Sequence, residues 1–71
     1  MNDFHPYDRV EIVTDRFAEE GVTPGMVGYV IERWDSDAFE VEVMRNDGST
    51  LAQFVANSSD LRLSAQEDTS N

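Results

Sequence analysis

The clearest pattern in the chain is strict alternation over residues 38–45 (AFEVEVMR). Phe39, Val41 and Val43 fall on one parity, and Glu40, Glu42 and Met44 on the other. A period of two is that of a strand with one face in a core and the other in water. Weaker versions of the pattern occur over 7–14, with Val10, Ile12 and Val13, and over 26–34 (MVGYVIERW). Two more follow over 49–56, with Leu51, Phe54 and Val55, and over 61–63 (LRL).

Turn chemistry separates these runs. Thr23-Pro24-Gly25 has proline and glycine where a type II turn needs them. Asp35-Ser36-Asp37 and Asn46-Asp47-Gly48 read as hairpin turns, and Asp-Gly is suited to positive φ. Asn57-Ser58-Ser59-Asp60 reads as a short turn. The pattern lapses over 15–23 (DRFAEEGVT), which reads as a long loop. Within it one helical turn would close at Gly21, and Phe17 and Val22 would pin it to the core. Gly28 lies inside a strand, which points to a bend, a bulge or a close backbone approach.

These elements predict an all-β domain, a small five-stranded SH3-like barrel with a long first loop. Residues 1–6 form an N-terminal arm, 7–63 the barrel and 64–71 a disordered, polar tail. The expected core is Val10, Ile12, Val27, Val30, Phe39, Val41, Val43, Phe54 and Leu61, with at least one of Phe4 and Phe17.

Composition narrows the function. Seventy-one residues make one thin-cored domain. Fifteen Asp and Glu oppose five Arg, with no Lys, for a net charge of -10. Such a chain is repelled by phosphate backbones and attracts a basic protein, so nucleic acid is an unsuitable partner. Without cysteine there are no disulfides or thiolate metal sites. No segment reads as a signal peptide or membrane span, so a cytoplasmic protein with no membrane partner is expected.

Catalytic constellations are missing. His5 lies beside Pro6 in the arm and has no evident partner. Asp35 and Asp37 form a D-x-D pair, but the glycine and distal glutamate of a calcium loop are absent. No glycine-rich turn leads into a helix that would cradle phosphate. The expectation is a binding domain with no catalytic, metal or cofactor site, and not an enzyme.

Five pieces, in order, carry a family resemblance: Asp8-Arg9-Val10, Gly25-Met26-Val27-Gly28-Tyr29-Val30, Phe39-Glu40-Val41-Glu42-Val43, Asp47-Gly48-Ser49-Thr50 and Asp60-Leu61-Arg62. Together they resemble the small bacterial proteins labelled domain of unknown function 4926, over about Tyr7 to Leu63. The resemblance implies an SH3-like fold and no established activity. Small acidic members encoded beside larger proteins are similar to antitoxins or immunity proteins. The chain departs from the family pattern at Tyr29, where a small residue is usual, and in its tail.

The expected partner-binding residues are Tyr29, Glu32, Trp34, Asp35, Asp37, Glu40 and Glu42. If strands 26–34 and 38–45 pair across Asp35–Asp37, Glu32 joins Glu40 and Glu42 on one outer face. Three functions remain open. The first is an immunity protein or antitoxin that fills the basic cleft of a co-encoded toxin, such as a nuclease or nucleotide-directed enzyme. The second is a peptide- or methyl-cation-binding module using Tyr29 and Trp34. The third is an accessory subunit of a larger complex.

Overall fold

A computed structural model describes residues 4–64. It contains five strands: β1 (Arg9–Ile12), β2 (Val27–Asp35), β3 (Ala38–Met44), β4 (Thr50–Ala56) and β5 (Leu61–Leu63). Two single 3-10 turns, Ala18–Glu20 and Ser58–Asp60, are the only helical pieces among the described residues. All pairings are antiparallel, in the order β4-β3-β2-β1-β5. A meander whose last strand returns beside the first is the order of the expected small barrel.

The link between β4 and β5 shows that the sheet is rolled. These strands lie at opposite ends of the sheet, yet only Asn57 and the 3-10 turn Ser58–Asp60 separate Ala56 from Leu61, too few residues to cross a flat sheet of five strands. Phe54, Ala56 and Leu61 belong to one buried cluster. Val10, Ile12, Val30, Phe39, Val41 and Val43 fill the middle of the cluster.

Two phenylalanines from outside the sheet close it. Phe4, only 1% exposed, meets Phe39 edge-on with ring centroids 5.3 Å apart. Phe17 stacks on Phe54 at 4.1 Å. The first loop is held further by buried Val22 and by Gly21, which ends the 3-10 turn at φ +85°. Met26 donates its N–H to the Thr23 carbonyl (3.1 Å) around Pro24 and Gly25, as the type II reading requires.

Several local expectations change. Gly28 is not at a bulge. A Cβ there would lie 2.7 Å from the Glu42 carbonyl oxygen and 3.1 Å or less from two valine methyls, so this glycine allows β3 to approach closely. The irregularities of β2 lie further on, between Val30 and Glu32 and between Arg33 and Asp35. Val27 is only half-buried, because Gly28 and Val30 hold the inward parity at that end of β2. At the β3–β4 hairpin only Gly48 takes a positive φ, and Arg45 pairs with Ser49 across a three-residue loop.

The arm also enters β1 through a strained turn. The Asp8 N–H donates to the His5 carbonyl, with Pro6 second and Tyr7 third at φ +74°. Tyr7 and Asp8 together face Val30, a bulge that glycine would ordinarily serve. At the other end, Ser64, expected in the tail, donates its N–H to the Arg9 carbonyl (2.9 Å) and extends the β1–β5 ladder. The rest of the expected tail, 65–71, lies outside the described residues, as do the first three residues of the arm.

Candidate functional site

The outer face of β2, β3 and β4 is built on the alternation of β3. With Phe39, Val41 and Val43 buried, Glu40 and Glu42 must face outward. β2 supplies the next row, and its bulge decides which residues occupy it. Tyr29 pairs with Glu42 and Val30 with Val41, but the next pair is Glu32 with Glu40. The extra residue, Ile31, restores Glu32 to the outer side after one more step. Two glutamates therefore stand directly opposite each other, an arrangement that is destabilising by itself.

β4 completes the face. Val55 lies beside Glu40 and Gln53 beside Glu42. The Glu40 carboxylate accepts hydrogen bonds from the Trp34 indole N–H (3.0 Å) and the Gln53 amide. Glu42 accepts one from the Thr50 hydroxyl. These donors are all neutral, so the negative charge is oriented without being cancelled. Glu32 has no side-chain partner among the described residues.

Trp34 is 59% exposed although its N–H is engaged, so one edge of the ring is tethered and its surface lies open. Tyr29, which the sequence could not place, is also exposed, between Arg9 and Glu42 in the register. Tyr29 and Trp34 are not in ring contact with each other. The paired rings among the described residues are Phe4–Phe39 and Phe17–Phe54. The structure thus brings Tyr29, Glu32, Trp34, Glu40 and Glu42 onto one surface.

Asp35 and Asp37 stand at the hairpin end of that surface and take part in its local structure. Asp35 accepts the Ser36 N–H at 2.6 Å. Asp37 accepts the Ser58 N–H at 2.6 Å, and its backbone carbonyl accepts the Asn57 amide at 2.7 Å. The Ser58 hydroxyl and N–H hold the Asp37 carboxyl below the usual carboxylate range.

The sequence reading missed the neutral residues of β4 on this face: Thr50 and Gln53, which orient the glutamates, and Val55, which lies beside Glu40. The alternation of β4 was the available signal, since Gln53 and Val55 oppose the parity of Phe54. It also missed Asp60, which is 5% exposed. Asp60 accepts two bonds from the Arg16 guanidinium (3.1 and 2.7 Å) and one from the Asn57 N–H (2.9 Å). The Arg16 hydrogen bond comes first among the causes that hold its carboxyl below the usual range. Asn57 and Asp60 thereby form a reciprocal cap on the second 3-10 turn.

Among the described residues no group of three or more His, Asp or Glu is arranged to hold a metal ion. None of their helices is long and apolar enough to cross a membrane. No curated protein and no solved structure matches the chain. One family model does, over residues 7–63, which run from the strained turn through β5. With that span covering most of its length, the chain belongs to the family described as Domain of unknown function (DUF4926).

Proposed function

We propose that this domain is a protein-binding module whose outer β2–β3–β4 face engages a basic partner. One observation carries the reading. Glu32 and Glu40 stand opposite each other beside Glu42, on a surface where neutral side chains orient the charges and, among the described residues, no cation is paired with them. Glu11, in contrast, meets Arg62 across its strand pair at 2.8 Å. Repulsion left standing on a small domain is relieved when a cationic surface arrives, so binding recovers what folding gives up.

Trp34 supplies the apolar anchor beside these carboxylates, with Tyr29 and Val55 as flanking apolar surface. The partner class that fits is a protein with a basic cleft. An enzyme acting on nucleic acid or nucleotides has one, and the domain would block it by standing in for the anionic substrate. This is the behaviour of an immunity protein or antitoxin, with no catalytic step of its own. The lack of ring contact between Tyr29 and Trp34 gives no support to a methyl-cation cage.

The test is association kinetics with the protein encoded beside it. The association rate should fall steeply as salt shortens the screening length below about 10 Å. Exchanging Glu40 and Glu42 for Lys should slow association and flatten that dependence. Trp34→Ala should mainly speed dissociation. Salt-insensitive binding that survives all three substitutions would refute the proposal, as would a preference for DNA or RNA.

A further inference from the structure

β4 ends the sheet: β3 pairs with one edge, and among the described residues nothing pairs with the other. Among the described residues no backbone group outside β3 bonds to Thr50–Ala56, and the side-chain bond to its backbone, from the Arg45 guanidinium to the Thr50 carbonyl (2.8 Å), falls at its first residue. Edge strands are usually protected against pairing by charge, proline or brevity. β4 is seven residues long (TLAQFVA) and contains neither proline nor any charged residue. Each of the other four strands carries at least one charge. In a chain with a net charge of -10, the unprotected edge is thus also the uncharged strand.

The surroundings indicate which strand would fit. A strand added to this edge would lie about 4.8 Å from β4 and about twice that from β3. Its outward side chains would stand next to Gln53 and Val55, whose other neighbours are Glu42 and Glu40. Long cationic side chains at alternate positions can cross that gap, while apolar side chains extend the surface begun by the 51%-exposed Val55. A second copy of this chain is a poor occupant, because pairing would bring together two domains of charge -10.

We propose that the partner is captured by strand addition: an extended basic segment, with Arg or Lys at alternate positions, pairs with the free edge of β4 and turns its cations toward Glu40 and Glu42. The inference rests on the acidic-face reading and adds the backbone pairing that gives the segment its register.

The probe is a synthetic peptide of alternating Arg and Val, as long as β4, and a second of the same sequence and charge N-methylated along one edge. Binding is followed by Trp34 fluorescence, and the β4 edge by amide hydrogen exchange. In the free domain, alternate amides of Thr50–Ala56 should exchange fast and become protected on binding. N-methylation should weaken binding roughly tenfold or more by removing several backbone hydrogen bonds. Glu40→Gln with Glu42→Gln should weaken both peptides.

Equal binding of the two peptides, lost in the double Gln variant, would overturn strand addition and leave the acidic face standing. Sensitivity to N-methylation with indifference to the Gln changes would keep the edge and remove the face. No binding of either peptide overturns strand addition. Edge amides already slow in the free monomer would show the chain's own segments on this edge. Slow amides that appear only with concentration-dependent dimerisation would show a second copy there. Either result overturns the proposal.

Discussion

Asp60 and Glu40 are both carboxylates with more than one hydrogen-bond donor, yet their surroundings put them to opposite uses. At Asp60 a guanidinium grips both oxygens, and a backbone N–H completes the shell of a buried group. That charge is matched, and it ties the first loop to the turn before β5. At Glu40 an indole and an amide supply the bonds in the open, with Glu32 facing it. There the geometry is fixed and the charge persists. The comparison separates carboxylates that hold this fold together from carboxylates the fold holds out.

Gly28→Val has the largest expected effect and tests how far the two regions are independent. The new side chain would press on the Glu42 backbone, the support of the outer face, from the core side. A loss of about 3 kcal/mol is expected in chemical denaturation. Binding of the basic partner should weaken in the same variant even where it remains folded. Asp60→Ala comes next, with a loss of about 2 kcal/mol, moderated by the half-exposed position of Arg16. Partner binding by its folded fraction should be unchanged, and a loss there would show that the Arg16–Asp60 pair and the outer face are coupled.

Acid provides a subtler contrast. The folded state holds Asp60 below its ordinary value of 3.8. Its contribution is therefore complete above that value and is lost as pH falls through the lower, folded one. The denaturation midpoint of Asp60→Asn should show a shallower decline than the parent below about pH 4. Smallest of all is the effect of Glu40→Gln with Glu42→Gln on stability. Removing opposed charges should leave the domain unchanged or up to about 0.5 kcal/mol more stable. A loss above 1 kcal/mol would mean that these glutamates serve the fold after all.

The strands and the inner face were legible because alternation survives wherever a sheet has one wet side. β3 shows this best, since every residue from Phe39 to Met44 lies where its parity puts it. The Thr23–Met26 turn was equally plain, because proline and glycine allow few other conformations there. β2 was harder. Its glycine drew attention to Gly28, whereas the bulges fall at Ile31 and Trp34, set by pairing with β3 that no local signal encodes. Phe4 lies beyond Pro6 and outside any periodic run, so only its aromatic side chain marked it, as an alternative to Phe17, for a place in the core that both occupy. Arg16 and Asp60 are 44 residues apart and meet only in the folded chain.

On the outer face, the glutamates could be seen from the pattern of β3 and the outward side of Gln53 from that of β4, but their pairing could not. Glutamine and threonine on a strand surface look like ordinary solvated positions until the register sets them beside Glu40 and Glu42. Exposure of Trp34 likewise depended on a parity that the bulges reset.

That resetting gives the Ile31 bulge an evolutionary consequence. Because side chains change face at each step, an unbulged strand of the same length would set Ile31 opposite Glu40 and turn Glu32 inward. Deleting Ile31 would instead remove the bulge and leave Glu32 opposite Glu40. Among relatives, the acidic face would then be inherited in two lengths: one with an extra residue between the inward valine and the glutamate, and one without it.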